Sequence, residues 1–278
     1  MKAGCLALLV VFLFPLSSCA YYEPSPERTP KQTPATQAAL MLTIVYDNND
    51  YDQRLETRWG FSCFIKGLEK NVLFDTGADS PTLLSNMEKL DIDPADVDVV
   101  VLSHIHGDHV GGLDGFLKEN SDVTVYLPES FPSSFKDNVS SSGAEVNEVS
   151  KAKKVFGGVY TTGELGSGIK EQSLVVTTEK GMVIVTGCAH PGVVNIVDKA
   201  RDIVPEEPVC LVVGGFHMSS ASRAQIQSVI EGFRDLGVMN VAPCHCSGDE
   251  TRRLFKQEYG ENYIESGVGK RIGVPCER

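Results

Sequence analysis

Residues 103–112 read Ser103-His104-Ile105-His106-Gly107-Asp108-His109-Val110-Gly111-Gly112, directly after the apolar run Val97 to Leu102. Three of the chain's six histidines fall in this one segment. Neutral imidazole nitrogen and carboxylate oxygen are ligands that divalent zinc, iron and manganese accept. His104 and His106 are two apart, so an extended loop can aim both at one point. Asp108 and His109 follow a glycine and open an expected helix, so they can aim at a second point nearby. The pattern predicts a site for two divalent cations, zinc first, with iron or manganese as alternatives. A polar strand-to-helix turn that happens to hold histidines is the competing reading, and it leaves so dense a cluster without a cause.

The rest of the body reads as strands alternating with helices. Strands are expected at Met41 to Tyr46, Gly60 to Lys66, Asn71 to Asp75, Val97 to Leu102 and Val123 to Leu127. Pro81 to Leu90 is an expected helix, capped by Ser80 with proline at its first position. A second helix is expected over His109 to Lys118. Residues 128–170, rich in Ser, Gly and Lys, show no period that places them. Leu174 to Thr178 and Met182 to Thr186 flank a turn and predict a hairpin. Beyond it come a helix over Val193 to Ala200, a strand over Val209 to Val213 and a helix over Ser222 to Leu236. A strand over Val238 to Ala242 and a helix over Thr251 to Tyr259 complete the body. Hairpins followed by βα alternation, in two stretches, predict an α/β chain with two sheets and helices outside. His190, His217 and His245 each follow an apolar strand. In a parallel arrangement strand C-termini share one edge, where ligands bind, so all six histidines can converge.

His104-x-His106-x-Asp108-His109 after a buried strand, with Phe74-Asp75-Thr76-Gly77 upstream, resembles the metallo-β-lactamase superfamily. Three further segments narrow the resemblance: Thr186-Gly187-Cys188-Ala189-His190-Pro191-Gly192, Gly214-Gly215-Phe216-His217 and Pro243-Cys244-His245-Cys246-Ser247-Gly248. As a set they are similar to the branch that includes the archaeal dihydropterin (ribofuranosyl)aminobenzene-phosphate synthase and many bacterial metal-dependent hydrolases. The resemblance covers about residues 41 to 270 and implies a four-layer αβ/βα sandwich with the metals at one edge. It implies that His104 and His106 hold one metal, and that Asp108, His109 and His245 hold the other. Asp75 is then expected not to bind metal but to brace the histidine loop by hydrogen bonds. Many superfamily members place a later histidine before a bridging Gly-Asp. Here no histidine lies between 110 and 189, and Gly187 precedes Cys188. His190 is therefore expected in the third or bridging place, with Glu171 or Cys188 as further candidates. Asp108 is the candidate to orient the attacking water, and His217 the candidate to protonate the leaving group or grip a substrate phosphate.

The first 18 residues carry a basic start and an apolar stretch, Cys5 to Leu16, too short to span a bilayer but suited to a secretory signal. Leu16-Ser17-Ser18-Cys19 resembles the lipobox of bacterial lipoproteins, which implies lipid attachment at Cys19; an ordinary signal peptide cut nearby is the alternative. The Pro-, Thr- and Gln-rich stretch up to residue 39 reads as a tether, followed by one domain over residues 40–278. The expected address is a bacterial membrane, facing the periplasm or the cell exterior. Cys63, Cys188, Cys210, Cys244, Cys246 and Cys276 lie in apolar or histidine-flanked contexts and are expected to be mostly free, buried thiols. A net charge of −12 makes nucleic acid a poor partner. The expected activity is metal-dependent hydrolysis of a small-molecule substrate, a phosphoester or related ester. Pterin-related transfer and non-catalytic metal binding by an exported protein stand as alternatives.

Overall fold

Runs of Val, Ile and Leu too short for helices become the strands of two sheets in the computed structural model, which describes Met1 and residues 39–276. The expected lipid attachment at Cys19 and the tether before residue 39 lie outside the described residues. Strands β1 (Met41–Tyr46), β2 (Ser62–Lys66) and β3 (Val72–Phe74) pair antiparallel in sequence. Helix α1 (Ser80–Lys89) leads into β4 (Val99–Val101). Helices α2 (Gly107–Val110) and α3 (Leu113–Glu119) precede β5 (Thr124–Pro128), and α4 (Ser133–Ser141) precedes β6 (Glu145–Val149). From β3 to β6 the pairing is parallel.

The second sheet opens as an antiparallel meander of β7 (Lys151–Phe156), β8 (Val159–Gly163), β9 (Leu174–Thr178) and β10 (Gly181–Thr186). It continues in parallel through α5 (Val193–Ile203), β11 (Val209–Gly215), α6 (Arg223–Asp235) and β12 (Asn240–Cys244). Helix α7 (Asp249–Tyr259) follows, and β13 (Arg271–Gly273) returns to pair with β1. The sheet orders are β13-β1-β2-β3-β4-β5-β6 and β12-β11-β10-β9-β8-β7.

Alternation along the strands sends one set of side chains between the sheets and the other under the helices. Ile44, Val101, Val183 and Val213 belong to a buried cluster built from both sheets. Leu83, Phe116 and Val100 fill a second cluster, beneath α1 and α3. Ile196, Phe233, Phe255 and Val212 fill a third, beneath α5, α6 and α7. The result is the helix–sheet–sheet–helix sandwich expected from the sequence.

Four local expectations are corrected. The expected helix His109 to Lys118 is two helices, because Gly111 and Gly112 press on the chain before α1. A Cβ at Gly111 would stand 2.1 Å from the Ala78 carbonyl oxygen, and one at Gly112 would stand 2.1 Å from that of Thr76. Residues 128–170 hold α4 and β6 to β8, whose half-exposed, Lys- and Glu-containing strands give no apolar alternation. Among the cysteines, Cys63, Cys188, Cys244 and Cys246 are free and buried, but Cys210 and Cys276 form a disulfide. It ties β11 to the C-terminal tail across 66 residues, a separation at which sequence context gives no hint of contact.

The fourth concerns the cap of α1, which is Asp79 rather than Ser80. Its Oδ1 accepts from the Thr82 N–H at 2.9 Å, and its Oδ2 accepts from the Tyr46 hydroxyl at 2.8 Å and from Arg58 at 3.0 Å. Burial alone would raise this carboxyl, but the Thr82 N–H and the Tyr46 hydroxyl, with Arg58, outweigh it and hold it below the usual range. A depressed native pKa gives stability that is present above the unfolded value, about 4, and lost as pH falls through the native value. Asp79→Ala is expected to cost about 1 kcal/mol in urea unfolding at neutral pH, the usual worth of such a cap. The gap to wild type should close as pH drops below about 4; a gap independent of pH would contradict the charged cap.

Candidate metal centre

Strands β1, β3 and β4 run in one direction in the first sheet, and β10, β11 and β12 in one direction in the second. Their C-terminal ends deliver Asp47, Asp75, Ser103, Cys188, His217 and His245. Asp75 lies at the centre. Its Oδ1 accepts from the Ser103 N–H at 2.7 Å. Its Oδ2 accepts from the Ser103 hydroxyl and from His109 Nδ1, both at 2.7 Å. Because Ser103 gives its only hydroxyl proton to Asp75, its oxygen must accept from His104 Nδ1, 2.9 Å away. Both histidines therefore carry their proton on Nδ1, and both turn a bare Nε2 away from the brace. His245 is set in the same way from the opposite side. Asn48 donates its amide to the His245 carbonyl, so its oxygen faces His245 Nδ1 at 2.8 Å and takes that proton.

The ligand atoms gather into adjacent groups. Ligand atoms of His104, His106 and His190 lie within 4.8 Å of one another, as do those of Asp108, His109, Cys188 and His245. A further trio joins Cys188, His190 and His217. His104 Nε2 and His106 Nδ1 are 3.1 Å apart. Asp108 Oδ2 stands 3.7 Å from His109 Nε2 and 3.4 Å from His245 Nε2. Four-coordinate zinc with 2.0–2.1 Å bonds to nitrogen or oxygen has ligand-to-ligand edges of about 3.3 Å. These separations are of that size. His190 Nε2 and His245 Nε2 are buried and have no hydrogen-bond partner, an arrangement that costs roughly 1–3 kcal/mol for each group left bare. A cation in each group relieves both, so the residues fit two divalent ions.

The electrostatics suit that occupancy. Burial and the neighbouring His109 push His104 far below the ordinary imidazole value, and burial with His217 brings His190 down to about 4. Both stay neutral with a lone pair free. Burial would raise the Asp108 carboxyl, but the close approach of the His245 and His109 rings holds it well below the usual range. His109 is raised: burial disfavours its proton, but Asp75 outweighs that.

All six histidines and Asp108 meet at this edge, and Cys188 joins them. Glu171, weighed above as a further ligand, is instead consumed by the backbone. Its Oε1 accepts from the Cys188 and Ala189 N–H groups at 3.0 and 2.8 Å, and its Oε2 from that of His190 at 2.8 Å. Burial raises its carboxyl to about 7. Those three bonds hold a turn in which Ala189 takes φ +64°; Asp75, His217 and His245 are also left-handed, at +56°, +53° and +48°. Such conformations cost of order 1–3 kcal/mol each in non-glycine residues and persist where surroundings fix them. His217 is exposed, its ring 4.3 Å from that of His190. Sequence reasoning missed Asp47, Asn48, Ser103 and Trp59. Asp47 accepts from the His245 N–H at 3.1 Å, and Trp59 lays its ring 4.8 Å from His245 while staying 55% exposed. The polar run Asp47-Asn48-Asn49-Asp50, straight after a buried strand, was the available signal for the first two.

A sequence profile described as the metallo-beta-lactamase superfamily matches residues 60–209. The chain belongs to the metallo-β-lactamase superfamily. Within it, the chain is 30% identical to the 7,8-dihydropterin-6-methyl-4-(beta-D-ribofuranosyl)-aminobenzene-5'-phosphate synthase of Methanocaldococcus jannaschii, over 84% of this chain and 95% of that one. Its fold is similar to that of Tm1679, described as a metal-dependent hydrolase of the beta-lactamase superfamily, with a TM-score of 0.71 and 27% identity over 84% of this chain and 99% of that one. A diphosphatase from the PhnP family shares the fold at TM-score 0.57 and 15% identity, over 84% of this chain and 96% of that one.

In this metallo-β-lactamase fold, Asp75 presets one histidine of each group. Asp75→Asn offers an amide donor where His109 Nδ1–H now donates, which favours the wrong tautomer. The expected result is a 10- to 100-fold loss of metal affinity, the usual range for such partners. Trp59 is the only tryptophan, so quenching of its fluorescence by cobalt(II) reads the titration. Equal affinities for variant and wild type would contradict the brace.

Proposed function

We propose that this chain is a metal-dependent hydrolase acting on a small ester-like substrate, a phosphoester or a related compound. The observation that carries the reading is the pair of adjacent groups of ligand atoms, with the exposed ring of His217 against that of His190. His104, His106 and His190 would hold one divalent ion, and Asp108, His109 and His245 the other, with zinc ahead of iron or manganese. The ions would supply activation of water for attack at neutral pH and polarisation of the substrate's phosphoryl or carbonyl oxygen. Asp108, kept ionised, has a carboxylate oxygen to accept a proton from attacking water and so to aim it. His217 is the group with open access to solvent, and a nitrogen of its ring protonates the leaving oxygen or grips a phosphate. The net charge of −12 disfavours a polynucleotide as the substrate.

Transfer on a pterin is the second reading, favoured by the 30% identity to the synthase. Hydrolysis is preferred because the export expected from residues 1–18 would separate the chain from reduced pterins. A non-catalytic metal-binding protein would require ligand shells with no exchangeable position. A panel of phosphoesters, thioesters and lactams, assayed with and without chelator beside a dihydropterin condensation assay, separates the three. The expected result is phosphoester hydrolysis abolished by chelator and restored by zinc. His217→Ala should then lower kcat by roughly 100-fold or more, the usual scale of a lost general acid, with metal content unchanged. Unchanged turnover would remove His217 from the reaction, and inertness toward every ester would contradict the hydrolase.

A further inference from the structure

Cys188 is the one described residue that shares a ligand group both with Asp108, His109 and His245 and with His190, which itself belongs to the group of His104 and His106. Its sulfur stands 3.2 Å from His109 Nε2. That nitrogen is bare, because Asp75 holds the ring proton on Nδ1. His109 therefore cannot donate to the sulfur in its neutral form. Either a thiol proton points at that nitrogen or at the neighbouring Cys246 sulfur, or the lone pairs of sulfur and nitrogen face a shared cation. A tetrahedral zinc site with 2.3 Å to sulfur and 2.0–2.1 Å to nitrogen has an N-to-S edge of about 3.5 Å. The His109 Nε2 to Cys188 Sγ separation of 3.2 Å is of that size.

A thiol proton would satisfy one acceptor only. His245 Nε2, 2% exposed as a residue, would remain without a partner in the same group. A cation serves every member at once. The backbone also fixes the sulfur where it is. A Cβ at Gly187 would meet the Ser103 hydroxyl at 2.1 Å, and one at Gly215 would meet the Gly187 carbonyl at 2.4 Å and the Cys188 Cα at 3.3 Å. Glu171 ties the three N–H groups of residues 188–190 from the other side. Cys188 is thus clamped between the two strand ends, with its sulfur within 4.8 Å of the ligand atoms of Asp108, His109 and His245 and also of those of His190 and His217.

We propose that Cys188, as a thiolate, is a ligand shared between the two cation positions, and that the centre selects a thiophilic ion. This rests on the dinuclear reading above. Thiolate ligands favour zinc, cobalt or iron over magnesium, calcium or manganese, which prefer oxygen. One proton leaves the thiol as the metal–sulfur bond forms, and no oxidant or reductant is needed.

The test uses the full chain, stripped of metal and reloaded with cobalt(II) or zinc. Wild type should bind two cobalt ions and show a near-ultraviolet sulfur-to-cobalt charge-transfer band. Cys188→Ser should lose that band, and Cys246→Ser should keep it. X-ray absorption of zinc-loaded wild type should show a sulfur scatterer at about 2.3 Å, a readout that does not depend on any variant folding. Two bound ions with no band and only nitrogen or oxygen scatterers would overturn the shared thiolate while leaving the hydrolase reading intact. A band that survives in Cys188→Ser overturns it as well, and failure to bind any metal would overturn both.

Discussion

One buried carboxylate, Asp75, sets the chemistry of this edge. It accepts three hydrogen bonds at 2.7 Å, two from Ser103 and one from His109. Through the Ser103 hydroxyl it reaches His104 as well. A single anion therefore decides which nitrogen of two histidines is bare, and those two belong to different ligand groups. Charge-assisted bonds of this kind are short and directional. The brace explains why neither ring can rotate to satisfy itself, and so why lone pairs remain pointed at one another.

The fold exists to bring that brace together with strand ends far away in sequence. Asp75 and Ser103 follow adjacent parallel strands of the first sheet, while Cys188, His217 and His245 follow the three parallel strands of the second. The shared core holds the sheets face to face. At the junctions the backbone turns left-handed at Asp75, Ala189, His217 and His245. Each such turn is locally unfavourable, and two of them are held by bonds from a neighbouring sheet or loop: Glu171 under Ala189, Asp47 and Asn48 around His245. Of the five non-glycine left-handed residues among the described residues, four lie at this edge, and the fifth, Asp91, follows α1.

Much of this was legible in the sequence. Buried parallel strands announce themselves as continuous Val and Ile runs, and a histidine straight after such a run has few places to go. That reasoning placed all six histidines at one edge and gave two sheets with helices outside; the four-layer sandwich was what the family resemblance implied. What stayed hidden was long-range or backbone-directed. Glu171 looks like a ligand candidate in one dimension, yet three N–H groups 17 to 19 residues away consume its oxygens. Asn48 carries no metal-binding signature, but it sets a tautomer 197 residues away. The Cys210–Cys276 disulfide and the three-residue β13 likewise depend on where the C-terminal segment returns. Gly111 and Gly112 split a helix because another loop needs the space, which no helical period shows.

The central claim is that hydrogen bonding fixes the bare nitrogens before any metal arrives. Long-range proton–nitrogen NMR of the metal-free protein, at alkaline pH where the imidazoles are neutral, reads this directly. His104, His109 and His245 should each show the Nδ1–H tautomer, against the Nε2–H form that free histidine prefers. Finding Nε2–H at His104 and His109 would contradict the account, because Asp75 would then not be the group that aims them.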